Sequence, residues 1–201
     1  GTLLIVRPTS SGYQDQVLKI GSTPHDPVAS KDGKYLFAPC AGDGEIVKVR
    51  LDDGDITGRF KVGDGPGHLA FSPDGTRLYS ANSFDGTLNC LSPEGDNLGQ
   101  VQSGSGAHYP IVTPDGRHVL VANFLSDTVT VFDAISLELV ATLETDPYPH
   151  GLDISADGKW IVATGFSSDH VRVIDGETFT ETARVKVGAG SSHSAFMPDN
   201  Q

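Results

Sequence analysis

Short apolar runs alternate with glycine- and aspartate-rich turns along the whole chain. The turns are Lys31-Asp32-Gly33, Pro73-Asp74-Gly75, Pro114-Asp115-Gly116, Ala156-Asp157-Gly158 and Pro198-Asp199-Asn200, and their aspartates are spaced by 42, 41, 42 and 42 residues. A fixed period near 40 residues marks a repeat architecture, and this one suits the four-stranded blade of a propeller.

Within residues 103–144 the pattern predicts four strands, at 109–113, 118–123, 128–132 and 139–143. The run His118-Val119-Leu120-Val121-Ala122-Asn123 is continuous and rich in β-branched residues, as expected of a strand packed on both faces. Second strands recur at 34–38, 78–82 and 160–164, and third strands at 46–51, 87–91 and 171–174. No window sustains a 3.6-residue period, so no helix is expected. The expected fold is an all-β propeller of four-stranded antiparallel blades, with repeats at 21–62, 63–102, 103–144 and 145–187 and partial ones at 1–20 and 188–201. Residues 1–6 align with the third strand at 86–91, residues 16–20 read as a fourth strand, and the chain stops after a first strand. Joined ends would lack a second strand. Segments 3–6 and 194–197 are therefore expected to be open edges, paired to another chain or to missing blades of a larger ring.

Charge narrows the partners. With 14 Lys and Arg against 26 Asp and Glu the net charge is −12, which disfavours nucleic acid. No run approaches the roughly 18 apolar residues of a membrane span, and no basic-then-apolar leader opens the chain. Cys40 and Cys90 occupy different places in different repeats, so they form no disulfide framework.

The repeat residues Gly21, Pro24, Ser30, Asp32, Gly33, Pro73, Asp74, Gly75, Ala81, Asn82, Pro114, Asp115, Gly116, Val121, Ala122, Asn123, Asp133, Pro149, Asp157, Gly158, Asp175, Val187 and Gly188 run nearly the whole length. Their pattern resembles the YVTN-type propeller repeat, similar to surface-layer, nitrite reductase, nitrous oxide reductase and lactonase-type propellers. The resemblance implies seven blades and an exported, periplasmic or extracellular protein.

Histidine carries the candidate chemistry. His25, His68, His108, His150 and His193 each precede a first strand, at one mouth of the central channel. Converging imidazoles suit copper, zinc or haem iron. His25, His108 and His150 stand seven residues before their turn aspartates, whereas His68 and His193 stand six before. Adjacent strand residues point to opposite sides. A metal is thus expected at His25, His108 and His150, with His68 and His193 turned away or reaching the site through water. Histidine that merely packs in the turn is the plainer account. His118 and His170 read as surface residues.

The remaining motifs read as structure. Gly63-Asp64-Gly65-Pro66-Gly67 and Gly188-Ala189-Gly190-Ser191-Ser192 precede strands rather than helices, so they lack the helix N-terminus of a phosphate loop. Asp133 and Asp175 close third strands as turn residues, and Phe37, Tyr79, Phe132 and Trp160 read as core between blades. No Gly-x-Ser-x-Gly elbow or His-Glu-x-x-His is present. The expected function is accordingly a non-catalytic binding or scaffold propeller presenting channel-mouth loops to a protein or small-molecule ligand. A metal- or haem-linked oxidoreductase is the alternative, and a lactonase-like hydrolase, which would call for carboxylates at the mouth, is the third.

Overall fold

The computed structural model describes residues 1–197; the fifth turn, Pro198-Asp199-Asn200, lies outside them. Every regular element in the described residues is a strand. β1 (Thr2–Thr9) and β2 (Gly12–Lys19) make a two-stranded hairpin. Four antiparallel sheets of four strands follow. The first holds β3 (Val28–Ala29), β4 (Tyr35–Cys40), β5 (Glu45–Arg50) and β6 (Ile56–Lys61). The second holds β7 (Pro66–Phe71), β8 (Leu78–Asn82), β9 (Thr87–Leu91) and β10 (Asn97–Gln102). β11 (Ala107–Val112), β12 (His118–Asn123), β13 (Thr128–Asp133) and β14 (Leu139–Glu144) make the third. β15 (Pro149–Ile154), β16 (Trp160–Gly165), β17 (His170–Asp175) and β18 (Glu181–Lys186) make the fourth.

In each sheet the strands lie in sequence order, and the first strands neighbour one another: β11 sits between β7 and β15. That is the arrangement of propeller blades around an axis. The expected strands hold to within a few residues, and four blades stand as the 42-residue period predicts. Among the described residues, segments 3–6 and 194–197 form no ladder with each other, and the pairing of β1 is with β2.

The aspartate turns explain the repeat. Asp32, Asp74, Asp115 and Asp157 each accept a bond from the hydroxyl two residues earlier (Ser30, Ser72, Thr113, Ser155) and from the backbone N–H two residues later. The glycine that follows takes φ between 69° and 79°, a left-handed conformation that costs other residues strain. Asp133 and Asp175 likewise hold the backbone N–H groups of Ile135 and Ser136, and of Glu177 and Thr178.

The core lies between blades. Phe37, Ile46, Leu69, Leu78 and Leu91 join the first and second blades. Tyr79, Leu88, Val119, Val121 and Phe132 join the second and third, and Leu120, Val129, Leu152, Ile161 and Ile174 the third and fourth. β8 and β9 are buried at every position, whereas the fourth strands β6, β10 and β14 expose alternate residues. The asparagine ending a second strand is buried and bonded: Asn82 Nδ2 donates to Thr87 Oγ1 at 2.9 Å and to Asn89 Oδ1 at 2.8 Å. Trp160 departs from expectation. It opens β16 at the sheet rim and is 43% exposed, so it is no part of the core. Cys40 and Cys90 are free and buried in different interfaces.

Candidate functional site

The five channel histidines converge. Ring centroids of His25 and His68 are 4.7 Å apart, those of His68 and His108 4.4 Å, of His108 and His150 4.7 Å, and of His150 and His193 5.0 Å. The expectation that His68 and His193 turn away is therefore corrected. For His68 strand alternation fails because the first strands are bulged, and His193 lies on a segment with no strand at all. Register slips between Pro66 and His68, between Ala107 and Tyr109, and between Pro149 and Leu152. In a bulge two residues oppose one, and the local kink re-aims their side chains. Positions seven and six residues before the turn both serve the channel, so Tyr109 also joins, 4.8 Å from His68 and 5.8 Å from His193.

The first blade is built differently. Pro24 makes only an isolated bridge to Cys40, and His25 donates its backbone N–H to the Pro39 carbonyl. Pro27 has no N–H to give a ladder, and β3 begins only at Val28. His25 and Asp26 are left exposed between the two prolines. Asp26 reaches across to the second blade, its Oδ2 3.0 Å from His68 Nε2. Asp26 escaped the sequence analysis, although it stands six residues before its turn aspartate, in the register of His68.

Burial disfavours the charged form of three of these rings, His68, His108 and His150. His68 is 5% exposed. Its pKa falls to about 4 through desolvation and the neighbouring His25, against the pull of Asp26. His108 falls to about 3, by desolvation first and then by His68 and His150. His150 is lowered too, by burial, against a hydrogen bond to the Ser192 carbonyl, 3.3 Å from its Nδ1. The His68–Asp26 contact near neutral pH is thus a hydrogen bond from a neutral ring, Nε2–H to carboxylate. His68 Nδ1 and His108 Nδ1 are buried without a hydrogen-bond partner. Each unpaired buried polar atom costs about 1–3 kcal/mol.

Apolar groups flank the cluster. Phe166 lies 4.3 Å from His150, and Phe124 lies 6.1 Å from His108 and 5.1 Å from Tyr148. Elsewhere, His118 packs edge-on against Phe179, and His170 pairs with Asp169 at 2.5 Å.

A family model described as "Lactonase, 7-bladed beta-propeller" matches residues 8–180. The chain belongs to this family. A protein of Photorhabdus laumondii named 6-phosphogluconolactonase is 28% identical over 207 residues, which cover 89% of this chain and 62% of that protein. The chain thus spans less than two thirds of that relative. Among solved structures, a putative 6-phosphogluconolactonase of Bacteroides uniformis superposes with a TM-score of 0.83 at 20% identity, covering 94% of this chain and 66% of that one. Hydrazine synthase of Kuenenia stuttgartiensis superposes equally well, at 22% identity, covering 91% of this chain and 55% of that one. Likeness at this identity speaks for the fold alone.

The family corrects two expectations. A non-catalytic scaffold, and an enzyme only as a metal-dependent oxidoreductase, give way to a lactonase family with a relative named as a hydrolase. The propeller stands, and its family is the lactonase rather than the YVTN repeat. The physical reason is that the repeat residues are turns and blade contacts, which enzymes and scaffolds of this fold share. The mouth also carries one carboxylate among its histidines, that of Asp26. Among the described residues no helix is long and apolar enough to cross a membrane.

Proposed function

We propose that this chain carries the histidine face of a lactone hydrolase. The observation behind the reading is the cluster of imidazoles at the channel mouth of a lactonase-family propeller, in which His68 is buried and His108 and His150 are half-buried. Lactone hydrolysis needs a base that takes a proton from water as the water attacks the ring carbonyl. The same group then returns the proton to the ring oxygen as its bond to the carbonyl carbon breaks. His150 suits that role. Its Nδ1–H donates to the Ser192 carbonyl at 3.3 Å, which leaves Nε2 unprotonated and able to take a proton, and its ring lies among those of His108, Phe166 and His193. The groups acting most strongly on His68, His108 and His150 are other histidines, Asp26 and the Ser192 carbonyl, with no lysine or arginine among them.

Proton release from glucono-δ-lactone and its 6-phosphate, corrected for spontaneous opening, tests the proposal. The purified protein accelerates at least one of them, and His150→Gln lowers the rate by about 10²–10⁴-fold, the usual contribution of a general base. Rates equal to spontaneous opening for both lactones refute it.

A further inference from the structure

We propose that His25, Asp26 and His68 hold one divalent transition-metal ion of the zinc class at the channel mouth, through one ring nitrogen of each histidine and one oxygen of Asp26. The site is argued from this chain's own side chains, and it stands or falls separately from lactone hydrolysis. One ligand atom from each residue lies within 4.8 Å of the other two. A tetrahedral ion with bonds of about 2.0–2.2 Å wants its ligands roughly 3.5 Å apart. The His68–Asp26 pair is nearly there, with Nε2 and Oδ2 3.0 Å apart. The remaining closure falls to the exposed side chains of His25 and Asp26, whose segment is tied by the bridge from Pro24 to Cys40 and by the His25 N–H bond to Pro39 before β3 begins at Val28. His68 is the fixed member, buried on the ladder of β7 against Ala81.

Asp26 Oδ2 faces Nε2 of His68, so Nε2 is the nitrogen this ring offers to the ion, and the buried Nδ1 stays outside the site. Two neutral imidazoles and one carboxylate give a ligand set of charge −1, in a chain of net charge −12, which favours a dication. Mixed nitrogen and oxygen donors select zinc or iron over calcium and magnesium, which take oxygen alone. The His108 ring borders the site, 4.4 Å from that of His68 but 6.2 Å from that of His25. Three protein ligands leave a fourth position for water, as in catalytic rather than structural zinc sites.

Isothermal titration of the chelator-treated protein with zinc chloride at neutral pH tests the site, with magnesium chloride as the comparison ion. One zinc per chain is expected, with no saturable magnesium binding. His25→Ala and Asp26→Ala alter exposed side chains and leave the core intact. Each should weaken zinc by about 100-fold or more, since even second-shell changes cost 10–100-fold. His170→Ala, at an exposed pair elsewhere, should leave stoichiometry and affinity unchanged. Absence of saturable binding at millimolar zinc overturns the proposal. So does binding that survives Asp26→Ala but is lost in His108→Ala or His150→Ala, which would put the ion elsewhere in the cluster. The readout needs no substrate, so an inactive protein that binds zinc separates this site from the hydrolase.

Discussion

Single side chains join one blade to the next, and Tyr79 is the clearest case. It is fully buried in the second blade, and its hydroxyl donates at 2.6 Å to the Ala134 carbonyl of the third. Burial raises its pKa, so the hydroxyl stays protonated as a donor. Tyr79→Phe keeps the ring and its packing but leaves a buried carbonyl short of a donor. The expected loss is about 1–2 kcal/mol, read as a lower urea midpoint at unchanged slope. At this scale the sequence was partly legible. Tyr79, Phe37 and Phe132 could be placed in the core from their strands, because an aromatic in an apolar run of a repeat has little else to pack on. Asp26 and the inward aim of His68 could not, since both depend on where the ladder breaks.

At the scale of elements, the fourth blade is held by an ion-pair network as well as by its ladder. Asp146, just before β15, accepts from Arg172 of β17 and Ser168, both at 2.8 Å, and Arg172 also pairs with Glu181 of β18 at 2.6 Å. The Arg172 guanidinium, followed by the Ser168 hydroxyl, holds the Asp146 carboxyl below its ordinary range, against the effect of burial. A depressed carboxylate stabilises the fold above its unfolded pKa of about 3.9, and that contribution is lost as pH falls through the lower folded value. The urea midpoint of the wild-type protein should therefore drop more steeply than that of Asp146→Asn between about pH 5 and pH 2. Parallel curves for the two proteins would show that the network contributes nothing. The strands themselves were legible from hydrophobic runs and aspartate turns. The bulges were not, because a bulge inserts one residue without changing composition.

For the whole molecule, stability resides in the interfaces between blades rather than within them. Leu120 is fully buried between the third and fourth blades with Val129, Ile161 and Ile174. Leu120→Ala should cost about 2–5 kcal/mol, the range for a large-to-small change in a packed core. Neighbouring blades support one another, so the loss should be felt beyond the mutated blade. Hydrogen exchange that quickens in β12, β13, β16 and β17 together is the expected outcome. Faster exchange confined to β12 would mean that each blade stands alone.

The repeat, and with it the all-β blade order, was written in the amino-acid sequence. Each hairpin is closed by local contacts, a serine or threonine, an aspartate and a glycine within four residues, and local contacts repeat when the sequence does. The five histidines could likewise be traced to one channel mouth from their common place before the first strands. Which side chains meet was decided by tertiary structure alone. Bulges in the first strands bring two successive positions to the channel, and Pro27 delays the ladder until Val28. Asp26 is thereby free to reach His68, a residue 42 positions away. A contact across blades depends on how two sheets stack, and no local pattern within one blade encodes that distance.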